Sequence, residues 1–183
     1  MCVIIYKPEG FTKSDRKELL SAIITNPDGF GVWKNGEVLK TMKASEAIDF
    51  ALGDVPTVFH ARIATGSRKI KNQCHPFDAG GGRYLFHNGI AGKSYENKSD
   101  TQQLAEKLRQ FNTDDCLTIL DFLNKSGKGK FILTDSDEVY TVGINAEKGV
   151  FRSNKNHIIE PLNYPRVGYD SRMRSGEYGG VEW

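Results

Sequence analysis

The sequence predicts an α+β fold built on antiparallel sheets. Strand-like stretches come in hairpin groups and two helical stretches follow one another, where a βαβ order would alternate them. The length agrees, because 183 residues suit one domain with a substantial core. Residues 2–160 are expected to form that domain, with 161–183 as a C-terminal tail. From Tyr164 the composition shifts to Gly, Arg, Tyr and Ser, which fits either an ordered strap or a flexible end.

The elements follow in order. Cys2 to Tyr6 is rich in Val and Ile and reads as a buried strand. Ser14 is placed to cap a helix whose Leu19, Leu20, Ile23 and Ile24 form one apolar stripe. "DGFGVWKNGEVLKTM" reads as a hairpin, since Asn35-Gly36 suits a type I′ turn. Ser45 is placed to cap a short helix ending near Gly53. "TVFHARI" is a strand, residues 64–82 are loop-like, and "RYLFH" is a strand stopping at Asn88-Gly89. Ser99 with Gln102 three positions on is a capping box, and Leu104, Leu108 and Phe111 mark the buried face of its helix. Thr113 is placed to cap a second helix running through Leu123. "KFILTD" and "EVYTVG" flank a Ser136-Asp137 turn, and "GVFRS" is expected to extend that same sheet.

Composition excludes several function classes. Lysine and arginine total 25 against 23 acidic residues, so a net charge of +2 supplies no strong field for nucleic acid or an anionic membrane. No apolar run approaches the roughly 20 residues that span a bilayer. "MCVIIYKPEG" turns polar after Tyr6 and lacks a signal core, so a cytoplasmic protein is expected. Three cysteines without a CxxC point to no disulfide framework and no zinc site. No metal and no cofactor is expected.

Two motifs fail on inspection. Gly92-Lys93-Ser94 resembles the end of a P-loop, but His87 stands where its first glycine belongs, and no helix begins there. "DSDEVY" lacks the third acidic position and the glycine of a calcium loop.

Cys2 is different because it follows the initiator methionine. Once Met1 is removed, Cys2 carries a thiol and a free α-amine. These groups titrate near about 8.5 and about 7.7–8.0, so the amine can accept the thiol proton near neutrality and later return it to a leaving amine. A thiolate attacking an amide also needs an oxyanion hole. Asn88 offers a side-chain N–H₂ and Gly89 a backbone N–H at a strand end, where glycine permits close approach to a ligand.

"HARIATG" (His60 to Gly66), "NQCHPF" (Asn72 to Phe77), "FHNGIA" (Phe86 to Ala91) and "SDT" (Ser99 to Thr101) follow the N-terminal Cys in that order. Together they resemble the class II glutamine amidotransferases of the N-terminal nucleophile hydrolase superfamily, over roughly residues 2–145. The resemblance implies a four-layer αββα sandwich of two antiparallel sheets (the Ntn hydrolase fold). It implies Cys2 as nucleophile, and Asn88 and Gly89 as the oxyanion hole. It also implies Arg62 on the substrate α-carboxylate, Asp100 on the α-ammonium, and Thr65 lining the same pocket. Arg62's planar fork suits a bidentate carboxylate contact.

His60, His75 and His87 are not expected to transfer protons, because the α-amine is the base. Cys74 and His75 are expected to point apart, and Cys116 to sit in an apolar helix face. The chain departs from the family at two places. Thr25-Asn26 stands where biosynthetic members often carry Arg-Gly, and Ile63 stands where many carry Trp.

The expected activity is hydrolysis of L-glutamine through a γ-glutamyl thioester, giving glutamate and ammonia for a separate synthase partner. Two alternatives remain open on sequence: an Ntn amidohydrolase acting on another acyl-amide, and a silent binding protein if Met1 is retained.

Overall fold

A computed structural model describes residues 1–64, 68–94, 97–136 and 138–158. Among them run ten strands and four α-helices. β1 (Val3–Lys7) leads through a 3-10 turn into α1 (Arg16–Thr25). Then come β2 (Phe30–Lys34), β3 (Glu37–Thr41), α2 (Ala44–Ala51) and β4 (Thr57–Ala61). β5 (Phe77–Gly80) and β6 (Arg83–Gly89) precede α3 (Asp100–Leu108) and α4 (Thr113–Lys125). β7 (Gly129–Asp135), β8 (Glu138–Val142), β9 (Ala146–Glu147) and β10 (Val150–Arg152) complete the domain.

The strands make two antiparallel sheets, ordered β3-β2-β4-β1-β10-β9 and β5-β6-β7-β8. Period-2 alternation decides which residues meet which layer. Val3 and Ile5 of β1 face α1 and α2 with Phe59, Val32, Leu19 and Ile48. Ile4 and Tyr6 face the other way, onto Trp33, Val58, Phe86 and Ile132 between the sheets. Leu85, Phe131 and Leu133 face Ala105, Leu108, Cys116 and Leu120 of α3 and α4. Three apolar layers therefore separate four layers of structure, the αββα sandwich. No helix among the described residues is long and apolar enough to cross a membrane.

Several local expectations change. α1 starts later than a Ser14 cap implies. Asp15 accepts from the Thr12 N–H at 2.7 Å and is itself the residue before the helix. The α1 stripe is narrower than expected: Leu19 and Ile23 are buried, while Leu20 and Ile24 are 40% and 69% exposed. α2 is preceded by Lys43, not capped by Ser45. Asn112, not Thr113, caps α4 by accepting from the Asp115 N–H at 2.9 Å. Residues 77–80 of the expected loop form edge strand β5, because Phe77 and Ala79 point into the α3/α4 core. β6 runs on through Asn88 and Gly89, which pair with Lys130 and Gly129.

The largest change concerns "GVFRS". β10 does not extend the β7–β8 sheet; it pairs with β1 in the six-stranded sheet, Ile5 opposite Arg152. An ion cluster anchors it there. Arg152 donates to both oxygens of Glu18 on α1 (2.5 and 2.8 Å), and fully buried His157 contacts the same carboxylate at 3.0 Å. Burial pushes the Glu18 carboxyl up, but the Arg152 and His157 hydrogen bonds outweigh it and hold the group at about 2. Asn35 (φ 45°) and Gly36 (φ 90°) form the left-handed pair of the β2–β3 turn, as expected. Of the Ser136-Asp137 turn, Asp137 lies outside the described residues, as do Thr65 and residues 159–183.

Candidate active site

A cavity of about 320 Å³ is lined by residues at and beyond the ends of strands from both sheets. Cys2, Arg62 and Ile63 line it from the six-stranded side. His87, Gly89, Asp100 and Thr101 line it from the four-stranded side, with Gln73 and His75 between. Four of the six residues expected to form the site thus share one cavity: Cys2, Arg62, Gly89 and Asp100.

Cys2 directly precedes β1 and sits on the inter-sheet face, two residues before Ile4. Its Sγ contacts the backbone of Ile63, donating to the carbonyl at 3.6 Å and accepting from the N–H at 3.4 Å. Burial raises the thiol pKa, and the Ile63 N–H, the chain's α-ammonium and Arg62 oppose that rise. Met1 is 71% exposed.

Arg62 follows β4 and is 4% exposed. Its guanidinium donates to the carbonyls of Asp28 (3.2 Å) and Arg68 (3.1 Å), which fixes the plane of the fork. Asp28 organises the same turn. Its N–H donates to the Arg62 carbonyl, and its carboxylate takes the Ala64 N–H at 2.9 Å and Lys69 at 2.6 Å. The Lys69 hydrogen bond and the Ala64 N–H hold the Asp28 carboxyl below the usual range.

On the opposite side Asp100 opens α3. Oδ2 accepts from the N–H groups of Ala91 (2.7 Å) and Gly92 (3.3 Å), and Oδ1 from that of Thr101 (2.8 Å). Asp100 therefore gathers the loop after β6 around the helix start, where the dipole also favours an acid. His87 braces this corner from behind. Its Nε2 donates to the Lys128 carbonyl (3.0 Å), leaving Nδ1 to accept from the Thr101 hydroxyl (2.9 Å). Burial keeps His87 neutral against the pull of Lys128 and Asp100.

Gly89 has a structural reason to lack a side chain. A Cβ there would lie 2.4 Å from the Lys128 carbonyl oxygen and 2.5 Å from Gly129 Cα. The close approach is to the neighbouring strand.

Asn88 is less simple. It alternates with Phe86 onto the inter-sheet face, is 6% exposed, and is not among the residues that line the cavity. Its Nδ2 donates to Ser153 Oγ at 2.9 Å, and its Oδ1 has no partner among the described residues. Neither Ser153 nor Asn154, whose Nδ2 donates to the Cys2 carbonyl at 2.6 Å, stands in a motif that marks it. Both follow β10, about 150 residues from Cys2, in an ordinary polar stretch.

His60 and His75 are packed ring to ring, centroids 4.1 Å apart, and among the described residues none of the four nitrogens meets a partner in hydrogen-bond geometry. Burial, then Arg62, lowers the His60 imidazole to about 3, and burial with His60 lowers His75 well below its usual value. Both are neutral. Gly31 makes room for His75: a Cβ there would lie 1.6 Å from the His75 carbonyl oxygen. Cys74 turns away from the cavity, its Sγ against the Thr41 and Ile70 carbonyls and Met42. Among the described residues no group of three or more His, Cys, Asp or Glu could hold a metal ion.

No protein-family model and no curated protein matches the chain. Among solved structures it is similar to the glutamine phosphoribosylpyrophosphate amidotransferase from B. subtilis, solved in complex with ADP and GMP. The match has a TM-score of 0.57 and 16% sequence identity, and covers 86% of this chain. The chain spans 42% of that protein's length. What the two share is the fold, the αββα sandwich.

Proposed function

We propose that this domain is a glutaminase of the class II amidotransferase type. One observation carries the reading: Cys2, Arg62, Gly89 and Asp100 line the same cavity. A fixed cation on one side and a carboxylate on the other match the two charges of an amino-acid head group, and favour glutamine over other acyl-amides.

The chemistry requires loss of Met1. The freed α-amine of Cys2 takes the Sγ proton, and the thiolate attacks the side-chain amide carbon of glutamine. Gly89 N–H and Asn88 Nδ2 receive the oxyanion. Collapse breaks the C–N bond, and the α-ammonium returns its proton to the leaving nitrogen as ammonia departs. Water, deprotonated by the same amine, then hydrolyses the γ-glutamyl thioester to glutamate and restores the thiol. Arg62 holds the α-carboxylate and Asp100 the α-ammonium. A separate synthase would consume the ammonia.

The test combines intact mass with glutamate release. Active protein should lack Met1, and Cys2→Ala should lower turnover by about 10³-fold or more. Activity should rise with pH through the α-amine range, about 7.7–8.0, because only the neutral amine accepts a proton. Active protein that keeps Met1 would exclude the α-amine as base, and glutamate release that survives Cys2→Ala would exclude the thiol.

A further inference from the structure

The geometry sets a condition on that mechanism. An oxyanion is stabilised only by donors, so Asn88 must present Nδ2. Yet Nδ2 is engaged by Ser153, and the end of the amide without a partner among the described residues is Oδ1, an acceptor.

Ser153 is built to relieve this. It is 1% exposed and held from three directions. Its N–H donates to the Ile4 carbonyl at 2.9 Å, its Oγ accepts from the Ile4 N–H at 2.9 Å, and its carbonyl accepts from Lys130 Nζ at 2.7 Å. These bonds fix the hydroxyl oxygen and leave its hydrogen free to rotate. A hydroxyl has one hydrogen to donate and two lone pairs to accept with. Ile4 occupies one lone pair. The second can accept from Asn88 Nδ2, or the hydrogen can be donated to Asn88 Oδ1. A half-turn of the amide about its last torsion exchanges these bonds with little change of shape.

We propose that Ser153 is a positioning residue for the oxyanion site, accepting from Asn88 Nδ2 at rest and donating to Asn88 Oδ1 when Nδ2 turns to the oxyanion. The inference rests on the glutaminase reading and on Asn88 as an oxyanion donor. Asn154 adds to it. With its bond to the Cys2 carbonyl, two consecutive residues after β10 tie the nucleophile and the oxyanion amide to one point. Serine and threonine serve both roles; alanine and valine serve neither.

The experiment measures glutamate release by Met1-free wild type, Ser153→Ala, Ser153→Thr, Asn88→Ala and the Asn88→Ala/Ser153→Ala double variant. Ser153→Ala should lower kcat about tenfold and leave KM within about twofold, since the interaction is made in the transition state. Ser153→Thr should recover most of the loss. In the Asn88→Ala background, Ser153→Ala should change kcat by less than about twofold, because residues acting as one unit are not additive. If Ser153→Ala does not fold, Ser153→Thr against Ser153→Val makes the same comparison at matched volume. The inference is overturned if loss of the hydroxyl leaves kcat intact while Asn88→Ala lowers it, or if the loss is equally large without Asn88, which would make it a packing effect. An active wild type with an equally active Asn88→Ala overturns the role of Asn88 and this inference together. A wild type that releases no glutamate overturns the glutaminase reading beneath both.

Discussion

The two sides of the cavity are built from different materials. On the six-stranded side a buried arginine stands in a charged turn. Arg62 is pinned by two carbonyls, Asp28 by a backbone N–H and by Lys69, and Lys69 reaches solvent at 67% exposure. On the four-stranded side the supports are neutral groups and backbone amides. His87 is an uncharged brace, and three N–H groups converge on Asp100. The first side should respond to changes of charge, and the second to changes of shape.

The sharpest way to break this contrast is a methyl group on the second side. Gly89→Ala keeps every charge but places Cβ against Lys128, Gly129 and the His87 ring, at 2.4, 2.5 and 2.8 Å. β6 and β7 must separate there, and the Gly89 N–H moves with them. We expect kcat to fall about 10²-fold, as when one oxyanion donor is lost. A melting curve should show a further cost of about 1–3 kcal/mol from overpacking. Near-wild-type kcat would show that this side tolerates changes of shape.

On the first side the matching probe keeps the charge and removes the fork. Arg62→Lys cannot span the Asp28 and Arg68 carbonyls and a carboxylate in one plane. KM for glutamine should rise about tenfold or more, with a smaller change in kcat. If kcat falls instead, Arg62 acts on the transition state and its assignment to the head group is wrong.

The contrast also separates what could be read in the sequence from what could not. The hairpins, the helix pair and the Ser99 cap were legible because local chemistry decides them: Asn35-Gly36 can only turn one way, and Ser99 accepts from the Gln102 N–H. Cys2, Arg62, Gly89 and Asp100 were legible as motif residues, and the fold brings them together. β10 was not legible. "VFR" is as good a strand in either sheet, and what selects the six-stranded one is the pairing of Arg152 with Glu18, 134 residues away. Ser153 and Asn154 follow from that choice, so their place beside Cys2 and Asn88 was hidden with it. The exposure of Leu20 and Ile24 was hidden too, because α1 has only one face against the sheet.

The Glu18 anchor gives a prediction outside the cavity. Glu18→Gln should destabilise the domain by about 2 kcal/mol, because Arg152 and buried His157 lose their anion. The pH dependence follows the depressed carboxyl. Its contribution is complete above the ordinary glutamate value of 4.5 and is lost as pH falls through about 2. Chemical denaturation of wild type and Glu18→Gln should converge over that interval; a constant gap down to pH 2 would remove Glu18 as the titrating group.

The smallest expected effect tests which bond of the charged turn does the holding. Among the described residues the Asp28 carboxylate has two partners: Lys69, mostly in solvent, and the Ala64 N–H. An exposed ion pair contributes about 1 kcal/mol or less and is screened by salt, whereas a backbone N–H left without its acceptor costs about 1–3 kcal/mol. Lys69→Ala should therefore raise KM by less than about threefold near 0.15 M salt, and raising the salt should have the same small effect on wild type. Asp28→Ala should do more than either, because it releases Ala64 and leaves the turn that carries Arg62 without its internal acceptor. Equal losses for the two variants would mean that the solvent-exposed ion pair, and not the carboxylate-to-backbone bond, sets the position of Arg62.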